Sequence, residues 1–483
     1  MKTSLRLRTL LPLAFMLLSG CIAVGPDYDR TKATSVPNQP EQWQETLPHA
    51  GSQTSLENWW AQFNDPLLIE LIHTAQIESN SLAAATLKIA QARALNTAAI
   101  SASLPVITGA AADNRGTTIL GGPIIVGTTI QAQAQANWEI DLFGGVQRRR
   151  ESSLARLDAE MANWHVARIS VAAEMGNLYT NYRGCEQQVK LFEADVISRQ
   201  QTASLSEKLG NAGFQSSANV ALARASAAEG SARLVTQKAE CEIAIKSMVA
   251  LTGMIESDLK QRLQTRKAEL PSPQQIQVAQ IPAQVIAQRP DIAAAERDLA
   301  AASADIGARI AERFPKISLL GNVGPMNFNS GDLAINATSW SFGPTVSLPI
   351  FDSGKLAANV ETARVAYDTA QTNYRQRVRG AIRDVEEALV RLNSMAEREQ
   401  QALIASNGFH ESLEAAQERW KNGLASQLEL EETRRLSFNA DLTLVTIKRE
   451  HVNAWIALYR AVGGGWQPND AVASTTSDTN QMN

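Results

Sequence analysis

The chain has 483 residues, of which 5% are aromatic and 19% charged, and its formal net charge is −4. That balance gives no basis for nucleic-acid binding, and a composition rich in Ala, Gln, Arg and Glu suits long packed helices better than one large globular core. The five histidines (49, 73, 165, 410, 451) are dispersed, no phosphate-cradling or dinucleotide glycine pattern occurs, and no catalytic constellation can be assembled. Neither an enzyme nor a bound metal or cofactor is expected.

Lys2, Arg6 and Arg8 precede the short apolar run "LLPLAFMLL", which ends in Leu18-Ser19-Gly20-Cys21. A basic start, a short apolar stretch and small residues before the cleavage point make a secretory signal. The run is far short of the ~20 residues of a membrane-spanning helix. Its last four residues resemble a bacterial lipobox, which would make Cys21 the acylated mature N-terminus. Ile22, rather than Asp, follows, and by analogy with lipoprotein sorting this favours the outer membrane. No other segment is apolar for long enough to cross a bilayer as a helix, so any crossing must be made by strands.

Beyond the leader (1–20) and an extended acylated segment (21–64), the same order of elements occurs twice. A helix (65–102, then 284–313) leads into a strand region (104–142, then 314–351). A long helix (145–210, then 355–421), a glycine turn and a further helix (216–253, then 425–461) follow. Pro105 matches Pro315, Gly144 matches Gly354, Gly213 matches Gly423, Ser216 matches Ser426 and Gly253 matches Gly463, every pair 210 positions apart. One fixed offset at so many landmarks marks a tandem duplication. The repeats span 65–255 and 284–463, joined by a linker (256–283) and followed by a tail (464–483).

In the second long helix, Val360, Tyr367, Tyr374, Ala381 and Ala388 recur every seven residues, and Val378, Val385 and Leu392 form a neighbouring stripe. Two adjacent stripes predict contact with helices on both sides, as in a wall. Sixty-odd helical residues at ~1.5 Å each span about 100 Å.

The stretch "IQAQAQANWEIDLF" (130–143) alternates Ile130, Ala132, Ala134, Ala136, Trp138, Ile140 and Leu142 with Gln131, Gln133, Gln135, Asn137, Glu139 and Asp141. A period of two belongs to a strand with one apolar and one polar face, and the run suits a tilted membrane strand of ~9–11 residues. "WSFGPTVSLPIF" (340–351) repeats the pattern, weakened by Pro344 and Pro349. The intervening "NRGTTILGGP" and "GNVGPMNFNSGDLAINATSW" are expected to be surface loops. Four strands cannot close a barrel, which needs about eight, and an open edge in lipid is prohibited. Strands facing lipid would therefore require several chains in one barrel. A soluble half-buried sheet is the alternative.

These residues resemble the TolC-like outer membrane factor family, in particular its efflux lipoprotein branch. The resemblance rests on "CIAVGPDYDR" (21–30), "NWWAQFNDPLL" (58–68), "WEIDLFGG" (138–145), "QRPDIAAAE" (288–296), "PIFDSGK" (349–355) and "ALYRAVGGGW" (457–466). It implies an α+β membrane protein: a tandem-repeat protomer of long coiled-coil helices and four strands. Three copies would form a twelve-stranded barrel in outer-membrane lipid, continuous with a periplasmic helical tunnel closed at its far tip. The implied role is the exit duct of a tripartite efflux system exporting drugs or other small toxic compounds. Its partners would be a periplasmic adaptor and an inner-membrane pump, a proton-coupled one of the resistance–nodulation–division class. A type I protein secretion duct and a non-conducting structural lipoprotein are the alternatives.

The resemblance also assigns roles at the tip. Gly213 and Gly423 would form the tip turns. The positions five and nine residues after Gly423 would form the constriction: Leu428 as an apolar plug and Glu432 as a carboxylate ring, where the family more often has Asp. Glu429 and Arg435 adjoin them, and Trp420 falls where an aromatic helps lock the closed tip. A simple exposed Glu432–Arg435 pair is the plainer alternative. Asn219 stands where the family often has Asp, which puts a second acidic ring, or a salt bridge between the two coiled coils, in doubt. Cys185 and Cys241 lie at equal distance either side of Gly213, hence at one height of an antiparallel hairpin. In an oxidising periplasm a disulfide is expected, with packed thiols as the alternative.

Overall fold

The computed structural model describes residues 23–37, 40, 43–44, 59–119, 124–265, 269–271, 288–331 and 333–466. The leader, Cys21, most of the predicted linker and nearly all of the tail lie outside these residues. The helices are α1 (Arg30–Ala33), α2 (Pro66–Glu78), α3 (Asn80–Ser101), α4 (Gly145–Asn211), α5 (Ser217–Thr252), α6 (Glu256–Gln264), α7 (Pro290–Ala311), α8 (Lys355–Lys421) and α9 (Gln427–Ala461). A 3-10 turn covers Trp59–Phe63. Among the described residues no helix is long and apolar enough to cross a membrane.

Both long helices span the predicted lengths, the helix expected over 284–313 runs from Pro290 to Ala311, and three further details differ from the expected helices. The helix expected over 65–102 breaks at Ser79, whose backbone is extended (ψ 119°) and whose hydroxyl bonds the Leu82 amide. Serine competes for backbone donors in this way, which favours a cap over a helix interior. The segment expected as a plain linker contains α6, whose Leu259 and Leu263 are fully buried. The extended segment contains α1 and the 3-10 turn. The chain divides into two compact units, each drawing on both repeats: residues 1–36, 87–161 and 294–376, and residues 37–86, 162–293 and 377–483.

The first unit carries the sheet. Its strands, β1 (Val106–Ile119), β2 (Ile124–Ile140), β3 (Lys316–Asn329) and β4 (Ala334–Ser347), are antiparallel and adjacent in chain order. The two expected hairpins thus share one sheet through the β2–β3 pairing. Asn114–Ile119, Gly321–Asn329 and Ala334–Trp340, expected as loop, are strand instead. Their Gly, Asn and Thr residues erase the alternation, yet the backbone ladder holds them. In the middle of the sheet the β2–β3 ladder skips from Gln131–Met326 to Ala134–Val323. The gap falls at Pro325, which has no N–H to give. Beside it the backbones approach so closely that a Cβ on Gly324 would lie 1.9 Å from the Ala132 carbonyl oxygen. Pro344 sits in β4, an edge strand, where a missing donor is tolerated.

Beneath the sheet the N-terminal segment is tied down by motif residues. The Val24 amide donates to the Phe143 carbonyl at 3.0 Å, Asp27 pairs with Arg148 at 2.6 Å and the Tyr28 hydroxyl donates to Glu296 at 2.8 Å. Asp141 accepts from the Gln147 amide at 2.7 Å, and Asp352 accepts from the Gly354 and Leu356 amides at 3.0 and 2.6 Å. Both carboxylates therefore launch the helices that follow them. Those backbone donors hold the Asp352 carboxyl below the usual range.

The second unit is helical. Its core gathers Trp59, Leu68, Leu71, Met175, Tyr179, Met248, Leu259, Leu389, Trp455 and Ile456. The predicted stripe residues Ala381, Val385, Ala388 and Leu392 are buried. Asp65 caps α2, accepting from the Leu67 and Leu68 amides. Its second oxygen accepts from the Tyr179 hydroxyl at 2.7 Å, and that hydroxyl accepts in turn from Arg183. Burial, then the bond to Asp65, pushes the Tyr179 phenol up to about 12. Arg289 chelates Asp291 and donates to the Ala461 carbonyl at the end of α9, so the "QRPD" stretch fastens the start of α7 to that helix end.

Candidate functional site

The ladder register decides which strand residues share a face. Trp138 lies opposite Leu319 and Leu319 opposite Pro344; Ala136 lies opposite Gly321 and Gly321 opposite Phe342; Ala134 lies opposite Val323 and Val323 opposite Trp340. Ile107 joins this face through Ala136, and Ile317 and Val346 through Ile140. The reverse face carries Gln131, Gln133, Gln135, Asn137 and Glu139 of β2, Ser318 and Asn322 of β3, and Ser339, Ser341 and Thr345 of β4. On it Gln133 donates to Gln131 at 3.1 Å and Asn322 to Ser341 at 2.7 Å.

The apolar face is uncovered: Trp340 and Phe342 are each 75% exposed. Above Ala111, Ala132 and Thr338 it turns polar, because the next row holds Asp113, Asn327 and Asn336 with Ile130. The apolar band thus runs nine residues along β2, from Ala132 to Ile140. That is the length a tilted strand needs to cross a bilayer's hydrocarbon, ~9–11 residues. Exposed apolar area of this extent marks a surface made to be covered.

The two hairpin turns of the helical unit are built alike. Gly213 and Gly423 have φ +79° and +73°, the left-handed conformation that closes a helix without a Cβ penalty. The Phe214 amide returns to the Leu209 carbonyl at 2.8 Å and the Leu424 amide to the Arg419 carbonyl at 2.7 Å. Ser216 and Ser426 then cap the next helices by accepting from Asn219 and Glu429 amides. After the second turn Leu428 is 67% exposed. Glu429 pairs with Arg419 at 2.7 Å across the turn. Trp420 is half-buried, its carbonyl accepting from the Gly423 amide.

Glu432 and Arg435 are exposed, and no ion pair joins them among the described residues. The plainer alternative of an i,i+3 pair is therefore not what forms. The acid that is engaged is Glu431: it accepts from the Thr202 hydroxyl of α4 at 2.6 Å and from Arg434 at 2.7 Å. Gln427 reaches Ser206 and the Thr202 carbonyl on the same helix. The first hairpin meets the second here through a hydroxyl and amides rather than a salt bridge. Sequence reasoning missed Glu431 and Thr202, since their partnership spans 229 positions and follows no motif.

Cys185 on α4 and Cys241 on α5 are joined as a disulfide, with Cα atoms 5.6 Å apart. Among the described residues no group of three or more His, Cys, Asp or Glu side chains could hold a metal ion.

The family model for the outer membrane efflux protein matches twice, over residues 71–254 and 281–464. The chain belongs to that family. Both ends of the second match lie 210 positions after those of the first, the offset of the internal repeat. Nodulation protein T of Rhizobium leguminosarum bv. trifolii is 29% identical over 467 residues, covering 95% of this chain and 97% of that protein. The toluene efflux pump outer membrane protein TtgC of Pseudomonas putida is 29% identical, covering 95% and 96%. Among solved structures, the outer-membrane channel OprN superposes with a TM-score of 0.81 at 28% identity, covering 92% of this chain and 100% of that one. The efflux protein acts in the outer membrane as a channel, and its fold is the α+β fold of the outer-membrane efflux channels.

Proposed function

We propose that three copies of this efflux protein pool their strands into one twelve-stranded barrel and their helices into a periplasmic tunnel, forming the exit duct of a tripartite pump. The observation that carries this is the two-faced sheet with unpaired edges at β1 and β4. Four strands are too few to close alone, and lipid does not tolerate bare strand edges. Acyl chains wet the Trp340 and Phe342 face, while water in the pore wets the Gln131–Glu139 face. Cys21 carries the covalent lipid that anchors each chain. The cargo is small organic compounds of the kind that the relatives' names record, such as toluene. Energy comes from an inner-membrane pump reached through a periplasmic adaptor.

At the tip, three-fold symmetry sets Leu428 and Glu432 around the axis as an apolar plug and a carboxylate ring, flanked by Glu429, Arg435 and Trp420. The free Glu432 carboxylate supports this reading, because a ring of like charges needs side chains not already paired within their own chain. The test is ion conductance of the purified protein in a planar bilayer, native against Glu432→Ala. Native protein should give discrete conductance steps, and the variant larger ones. Absence of any conductance in both would remove the channel reading; identical conductance would remove Glu432 from the gate.

A further inference from the structure

The two repeats fold alike, yet their helical hairpins are fastened by different chemistry. In the first, α4 and α5 are joined by the Cys185–Cys241 bridge, by Lys238–Glu193 at 2.7 Å and by Arg224–Glu207 at 2.9 Å. None of these bonds involves an imidazole. In the second, α8 and α9 share ion pairs of the same kind, Arg419–Glu429 at 2.7 Å and Arg398–Glu450 at 3.8 Å, but the place of the covalent bridge is taken by two histidine–carboxylate contacts. His410 Nε2 lies 2.9 and 3.0 Å from the two oxygens of Asp441, one of which also accepts from the Ser406 hydroxyl at 2.7 Å. Two turns or more away, His451 Nδ1 lies 2.6 Å from Glu399.

The repeat offset makes the contrast sharp. His451 stands where the first hairpin has Cys241, and Met395 where it has Cys185; His410, Glu399 and Asp441 stand where it has Gln200, Val189 and Ser231. We infer that the second hairpin alone carries a proton-dependent fastening, tight when its two histidines are charged and looser when they are neutral, while the first is held at fixed register by its covalent bridge. Imidazole is the side chain whose charge changes between pH 5 and 8. A protonated ring forms an ion pair with Asp441 or Glu399, and a neutral ring leaves one hydrogen bond.

The groups facing each ring are few. His410 meets Asp441 from α9 and Ser406 from its own helix. His451 meets Glu399 from α8 and packs near the Trp455 ring; Arg398 and Glu450 form the neighbouring cross-hairpin pair at 3.8 Å. From α4, Gln188 donates to the Thr446 hydroxyl at 3.1 Å, Asn181 accepts from Asn453 at 3.0 Å and Gly184 lies beneath the Arg449 stem. Among the described residues no second acid lies within ion-pair distance of either histidine.

The test is amide hydrogen exchange of the full-length protein in detergent between pH 5.5 and 8, corrected for intrinsic exchange. Protection over residues 399–451 should fall about two- to five-fold as pH rises, the size expected of partly exposed pairs, with no comparable fall over 185–241. His410→Gln with His451→Gln should flatten the response, and so should Asp441→Asn with Glu399→Gln should the first pair of changes misfold. Equal responses in both hairpins, or a response that survives either double variant, would overturn the inference. The readout needs no ion conductance, so it stands or falls apart from the channel reading.

Discussion

At the scale of single residues, Asp65, Tyr179 and Arg183 show how a short motif acquires meaning. A helix beginning at residue 65 was legible in the sequence, and in the structure Asp65 caps it with Pro66 in its first turn. That the carboxylate also receives Tyr179, 114 positions away, was not legible, because no local spacing encodes it. Folding favours the neutral phenol, whose value rises from 10.0 to about 12. Its contribution is therefore complete below pH ~10 and lost as pH climbs through 12. Thermal midpoints measured from pH 9 to 12 should fall more steeply for the native protein than for Tyr179→Phe. That variant should also lose about 1.5–3 kcal/mol at pH 8, the range for a hydrogen bond to a charged group. Glu431 carries a second prediction. Thr202→Val removes the hydroxyl that ties α4 to α9 without touching Glu432, and should raise basal conductance; no change would mean that the Thr202–Glu431 bond does not restrain the tip. The sequence reading chose Glu432 because the family places its constriction there. The neighbouring acid, about 100° around the helix, faces α4 and is the one engaged.

At the scale of elements, the long helices, both glycine turns and the four strands followed from periodicity and from the fixed repeat offset. What was misread was strand length. Alternation was lost wherever Gly, Asn and Thr took both faces, as in Gly321–Asn329, and only the ladder shows that pairing continues. Gly324 and Pro325 looked like turn residues for the same reason. In the sheet they mark the closest approach of β2 and β3. Gly324→Ala would drive a Cβ into the Ala132 carbonyl, where no side chain can swing aside. It should cost at least the ~1–3 kcal/mol of an overpacked site, read as a lower thermal midpoint and a smaller membrane-inserted fraction. Gly343→Ala, with open space around its Cβ position, is the control and should change little. The break at Ser79 was passed over, although serine favours caps over helix interiors.

At the scale of the whole molecule, the sequence told most through what a single chain cannot do. Four strands with one wet and one greasy face leave two bare edges and an uncovered apolar band from Ala132 to Ile140. No further element of the described chain repairs either defect. The repeat offset and the family match at that same offset show one unit used twice, and the two-faced register with its bare edges points to closure by further copies. The most direct measurement is the mass of the intact particle by native mass spectrometry after release from detergent. Three chains per particle is the result expected. A particle of one chain, stable and with its sheet edges bare, would contradict the account.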